Sequence, residues 1–203
     1  MTELLVATGN AGKVRELMPL LSELGWKLCG LDRFNDVPEA IEDGSTFAEN
    51  ARAKALHYAA ATGLAVLADD SGLEVDALAG APGVHSARFA GEHGNASANN
   101  ELLLSKLDGV EDRQARFRCA LCLVESGRVS LEVNGTCEGT ILAAARGQQG
   151  FGYDPLFAPS DPSAAGATFA EMGAPQKAAL SHRGQAVTAL VQELSRRATG
   201  AQS

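Results

Sequence analysis

The sequence predicts an α/β protein in which strands and helices are mixed without regular alternation. Three observations carry that reading. Leu4-Leu5-Val6-Ala7 is a short apolar run broken by Thr8-Gly9-Asn10, and Val14, Leu17, Met18, Leu21 and Leu24 then recur at helical spacing. Leu64 to Ala68 is a second apolar run, with Gly63 before it and Asp69-Asp70-Ser71-Gly72 after it, which reads as a buried strand ending in a turn. Phe117 to Val124 and Arg128 to Glu138 are strand-like runs joined by Glu125-Ser126-Gly127, a fitting hairpin turn. At 203 residues the chain suits one domain, with room for two lobes and a substantial core.

Taken in order, the first helix runs from Ala11 to Leu24, with Gly25 placed to close it. Trp26 to Leu31 fits a second strand, and Asn35 to Ser45 is a polar, acidic loop containing Pro38. Thr46 caps a helix reaching about Thr62, and Glu49 three residues later completes a capping box. Gly80-Ala81-Pro82-Gly83 is a turn, Ser86 to Asn95 an exposed loop, and Asn99 to Leu107 a short helix. Asn134-Gly135 fits either another hairpin turn or a bulge. Gly147 to Pro155 is a glycine-rich loop, after which Leu156-Phe157 starts a brief strand. The last helix spans about Arg183 to Arg197, and 198–203 read as a flexible tail.

Composition narrows the function classes. The chain is 45% apolar and 21% charged, as ordinary globular proteins are. A formal net charge of −8 argues against nucleic acid or an anionic membrane as partner, since both call for clustered Lys and Arg. No apolar run approaches a membrane span, and Met1 to Val6 lacks a secretory pattern, so the expected location is cytoplasmic. Cys119 and Cys122 have the spacing of a redox or zinc pair, but in a strand their sulfurs diverge and no second pair stands at zinc spacing. With Cys29 and Cys137 they read as packing residues.

The residues that suit chemistry lie between the elements. Two adjacent carboxylates at a strand end, Asp69 and Asp70, need compensation by cations, because like charges repel and burial disfavours ionisation. Neighbours on a strand point to opposite faces, so the two do different jobs; a solvated Asp-Asp-Ser-Gly turn is the plainer alternative. Thr8 to Lys13 join strand to helix, where free N–H groups and the helix dipole suit an anion; an ordinary helix start fits as well. Glu42 sits in the acidic loop, Lys54 on what would pass for a solvent face, and Lys177, His182 and Arg183 cluster around the last helix. Gly150-Phe151-Gly152-Tyr153-Asp154 sets two aromatic rings among glycines, where a ring can lie on a planar base. Together, Lys13, Lys54, Lys177 and Arg183 suit a polyphosphate. Glu42 and Asp70 suit Mg²⁺, which takes one or two carboxylates plus substrate phosphates.

In this order along nearly the whole chain, the motifs Ala7-Thr8-Gly9-Asn10-Ala11-Gly12-Lys13, Thr46-Phe47-Ala48-Glu49-Asn50-Ala51, Ala68-Asp69-Asp70-Ser71-Gly72-Leu73, Gly80-Ala81-Pro82-Gly83, Gly150 to Pro155 and Ser181-His182-Arg183-Gly184 resemble the inosine triphosphate pyrophosphatase family. That resemblance implies hydrolysis of ITP, dITP or XTP to the monophosphate and pyrophosphate, which cleanses the nucleotide pool. It also implies an elongated α/β fold with a long mixed sheet flanked by helices, two lobes with the active-site cleft between them, and a homodimer.

By the same resemblance Thr8, Gly9, Asn10, Ala11, Gly12 and Lys13 form the triphosphate turn. Asp70 is general base and metal ligand, Glu42 the second ligand to Mg²⁺, and Lys54 and Ser71 contact substrate. Phe151, Gly152, Tyr153 and Asp154 bind the base, and Lys177, His182 and Arg183 make further substrate contacts. Lys13 and Lys177 are expected on the departing pyrophosphate. A donor to the 6-keto group, from Arg183 or the loop N–H groups, would select hypoxanthine and xanthine over adenine. Asp69, on the opposite strand face, is expected either to be structural or to support the residues that touch metal and substrate. The rival readings are a pyrophosphatase for other modified nucleotides and a nucleotide-binding module without turnover.

Overall fold

The computed structural model describes residues 3–22 and 24–200. Met1 and Thr2, on which part of the no-signal reading rests, and 201–203 of the expected tail lie outside the described residues. The elements are β1 (Glu3–Ala7), α1 (Ala11–Ser22), β2 (Lys27–Gly30), α2 (Phe47–Thr62), β3 (Ala65–Val75), α3 (Ala96–Lys106), β4 (Gln114–Glu125), β5 (Arg128–Ile141), β6 (Phe157–Pro159), α4 (Ala174–Leu180) and α5 (His182–Gly200). The six strands form one sheet in the order β2-β1-β3-β4-β5-β6. β1 runs parallel to both β2 and β3, whereas β6 is antiparallel to β5, so the sheet is mixed as expected.

Local chemistry accounts for the element boundaries. Asn10 Oδ1 accepts from the Gly12 and Lys13 N–H groups at 2.9 and 3.2 Å and so caps α1. The helix ends at Ser22, two residues short of the expected Leu24, and Gly25 takes a left-handed φ of 73° in the turn beyond it. Thr46 and Glu49 form the capping box on α2, and Gly63, with φ 70°, ends it. Ser126 and Gly127 have φ of 51° and 72°, the paired left-handed values of a two-residue hairpin turn between β4 and β5.

Several expectations are corrected. β3 does not end in a turn at Gly72 but continues to Val75, carrying both aspartates inside an 11-residue strand. Its near-continuous burial is that of a strand covered on both faces. Asn134-Gly135 is neither end of a hairpin, because β5 passes through it to Ile141. Ser86, expected in an exposed loop, is buried, and its hydroxyl accepts from the Leu73 N–H at 2.9 Å. The final helix begins at His182 and holds its form to Gly200, so 198–200 are helical rather than tail.

The chain divides into two compact units. One comprises the chain up to Asp70, Cys119–Gly135 and the chain from Arg183 on; the other comprises Ser71–Arg118 and Thr136–His182. The first has a core of Leu4, Val6, Leu17, Leu67, Leu121 and Leu190 among others, and the second is centred on Leu73, Leu103, Phe117, Phe157 and Phe169. All four cysteines are buried and free. Burial pushes the Cys122 and Cys137 thiols up to about 12, as befits packing residues. No helix among the described residues is long and apolar enough to cross a membrane.

Candidate functional site

The first unit buries a chain of opposite charges around β3. Asp69, whose side chain has no exposure, pairs with Lys13 from α1 and accepts from Arg183 Nε of α5 at 3.1 Å. Arg183, itself only 1% exposed, pairs in turn with Glu16 on α1. The Cys119 thiol donates to Asp69 Oδ2 at 3.1 Å. Burial opposes ionisation of Asp69, but the Lys13 and Arg183 charges and the hydrogen bonds from Lys13 and Cys119 outweigh it. They hold the carboxyl far below the usual carboxylate range. Asp69 is thus engaged by three neighbouring side chains, Lys13, Arg183 and Cys119.

Asp70 has different surroundings. Its Oδ2 accepts from Asn50 Nδ2 of α2 at 3.1 Å, and Lys13 Nζ lies 4.0 Å from its Oδ1. Burial pushes the Asp70 carboxyl above its ordinary value, only partly offset by Lys13, Lys54 and Asn50, with Asp69 adding to the rise. Its ion pair to Lys13 is long at 4.0 Å, where Asp69 holds two cations closely.

Lys54 is no solvent-facing lysine: it is 7% exposed, one helical turn beyond Asn50. Its ammonium donates to the Asp69 carbonyl at 3.2 Å and meets Glu42 Oε1 at 3.0 Å. Glu42 is thereby held beside α2, while Asn50 Oδ1 accepts from the Gly44 N–H at 2.8 Å. Among the described residues no three His, Cys, Asp or Glu side chains gather to hold a metal by themselves.

The strand-to-helix turn differs from the expectation in one respect. Thr8 is buried, its Oγ1 accepting from the Asn10 N–H at 3.3 Å, while Gly9 and Ala11 are exposed. Two of the helix N–H groups expected to meet an anion, those of Gly12 and Lys13, are already bonded to Asn10.

The second unit organises the aromatic loop. Asp154 Oδ2 accepts from the Phe151 N–H at 2.7 Å and from Lys177 Nζ at 2.5 Å. The Lys177 ammonium lies 5.0 Å from the Phe151 ring centroid, within cation–π range. Lys177, expected on the pyrophosphate, stands beside Asp154 and Phe151 of this loop. Tyr153 is 4% exposed, with its hydroxyl donating to the Ser86 carbonyl at 2.9 Å, which anchors the loop in the core. Phe151 and Gly152 stay half-buried, and Asn100 of α3 donates to the Gly152 carbonyl at 3.1 Å. His182 stacks on Phe117 with centroids 4.7 Å apart and planes 11° off parallel. Ser71 is half-buried on β3. Lys177 and His182 belong to the second unit and Arg183 to the first, and the partners named here differ for each.

Sequence reasoning missed Asn50, Glu16 and Cys119. The first two carried a signal, since Asn50 stands four residues before Lys54 and Glu16 three after Lys13, each pair on one helix face.

Fold and side chains define an α/β protein with a buried carboxylate set among lysines and a lysine-clamped aromatic loop. Comparison with known proteins makes the class specific. A model of the Ham1 family matches residues 4–193. The dITP/XTP pyrophosphatase of Syntrophobacter fumaroxidans is 53% identical over 192 residues, covering 94% of this chain and 81% of that one. The enzyme of the same name from an Exiguobacterium species is 53% identical over 193 residues, covering 95% and 96%. The solved HAM1 protein of Coxiella burnetii superposes with a TM-score of 0.85 at 41% identity, over 97% of this chain and all of that one. The chain belongs to the Ham1 family.

Proposed function

We propose that this chain hydrolyses the non-standard purine nucleoside triphosphates ITP, dITP and XTP to the monophosphate and pyrophosphate, using Mg²⁺, in the cytosol and as a homodimer. The observation that carries the reaction is Asp70, a buried carboxylate set between Asn50 and Lys13 with Lys54 close by. The names of its relatives supply the substrate class.

Asp70 accepts a proton from the water that attacks the α-phosphorus. A new P–O bond forms, the bridging bond to the β-phosphate breaks, and pyrophosphate leaves. Lys13 meets the negative charge that builds on the phosphates, in partial shelter from solvent where its charge counts for more. Glu42 and Asp70 fit Mg²⁺, because that ion takes one or two carboxylates and completes its shell with substrate oxygens, and a triphosphate brings them. Bound there, Mg²⁺ would neutralise phosphate charge and polarise the group under attack. In the second unit, Phe151 offers a ring to the base, and the loop held by Lys177, Asp154 and Tyr153 offers backbone N–H groups to a 6-keto oxygen.

The test is pyrophosphate release from ITP, dITP, XTP, GTP, ATP and dTTP, each with Mg²⁺ and with chelator. Release confined to the first three and abolished by chelator is the expected outcome. Metal-dependent cleavage of ATP at a similar rate would remove the 6-keto reading.

A further inference from the structure

Asn50 is 3% exposed, so each of its polar atoms needs a partner, and both have one. Nδ2 donates to Asp70 Oδ2 at 3.1 Å, and Oδ1 accepts from the Gly44 N–H at 2.8 Å. One rigid amide therefore connects the carboxylate on β3 with the loop that carries Glu42. The loop is tight at that point. A Cβ at Gly44 would stand 2.7 Å from Asn50 Oδ1 and 2.8 Å from Glu49 Cβ, so glycine is what lets the backbone come this close. The capping box is continuous with the arrangement, because Glu49 Oε2 accepts from the Ser45 and Thr46 N–H groups at 2.8 and 3.2 Å. Lys54, a turn further along α2, meets Glu42 from the same helix.

We propose that Asn50 is a positioning residue that fixes Asp70 and the Glu42 loop relative to each other, with Gly44 as the other half of the latch. This rests on Asp70 and Glu42 acting as read above. The amide leaves one oxygen of Asp70 for the reacting water while orienting the carboxylate, and the bond to Gly44 keeps Glu42 from drifting with an otherwise irregular loop. Asn suits the post because it donates and accepts at once; Asp would lack the donor and Leu both groups.

The experiment compares wild type, Asn50→Ala, Gly44→Ala and the double variant. The readouts are kcat and KM for ITP with Mg²⁺, and amide hydrogen exchange of segment 35–45 in metal-free protein. Loss of an orienting partner is expected to lower kcat about 10- to 100-fold, with KM changed less than about threefold because the phosphate and base contacts remain. Exchange in 35–45 should quicken in both single variants, and the double variant should be no worse than Asn50→Ala alone, because both cut one connection. Folded Asn50→Ala protein with wild-type kcat, or with unchanged exchange in 35–45, would overturn the proposal. Should Asn50→Ala fail to fold, Gly44→Ala decides: lowered kcat with faster exchange supports the latch, and wild-type behaviour overturns it. Absence of turnover in the wild type itself would instead count against the hydrolysis reading.

Discussion

Asp70→Asn is expected to lower kcat for ITP by about 10²- to 10⁴-fold, the usual contribution of a general base, while nucleotide binding persists. Asn keeps an oxygen to accept from Asn50 Nδ2, so the local packing survives. The same change should also stabilise the fold. Burial raises the Asp70 carboxyl above its ordinary value of 3.8, so the native state binds that proton more tightly than the unfolded chain does. The contribution to stability is present in full below the ordinary value and is lost as pH rises through the raised one. At neutral pH an ionised Asp70 is thus a cost to the fold, and its amide removes that cost. A melting midpoint that rises as turnover collapses would be the signature of a residue kept for function. Near-full turnover in Asp70→Asn would rule out its role as base.

Asp69→Ala should do the opposite. It leaves Lys13 and Arg183 without their shared buried carboxylate, although Arg183 retains Glu16. Breaking a buried pair from one side costs about 3–5 kcal/mol, which for a chain of this size lowers the melting midpoint by roughly 10 °C. Because Asp69 ionises far below its ordinary value of 3.8, its contribution is present above that value and is lost as pH falls toward the depressed one. The gap in melting midpoint between wild type and Asp69→Ala should therefore be full at neutral pH and narrow on acidification. Thermal melts across that range check both points, and equal midpoints at neutral pH would remove Asp69 as the keystone of the network.

The adjacent aspartates show how far the sequence could be read. That neighbours on a strand face opposite ways suggests different partners for Asp69 and Asp70, and the structure shows that difference in surroundings. The length of β3 was hidden, because Asp-Asp-Ser-Gly has the local chemistry of a turn. The strand lies between β1 and β4 in the sheet, and its Asp69 meets Arg183, more than a hundred residues away, partners that the local sequence does not reveal. The same non-locality hides the partners of the basic residues. Lys177 and Arg183 are close in sequence, yet one pairs with Asp154 in the second unit and the other with Asp69 and Glu16 in the first. Aromatic residues among glycines suggest exposure, and the burial of Tyr153 comes from a partner far off in sequence, the Ser86 carbonyl. The capping box on α2 and the Ser126-Gly127 turn were legible because their causes lie within a few residues.

The most direct test of the central claim, attack on the α-phosphorus of a 6-keto purine triphosphate, is turnover of ITP by wild-type protein in ¹⁸O-labelled water with Mg²⁺, followed by mass analysis of the products. One ¹⁸O in IMP beside unlabelled pyrophosphate is the expected result. Label in pyrophosphate, or IDP and labelled phosphate in its place, would contradict the account.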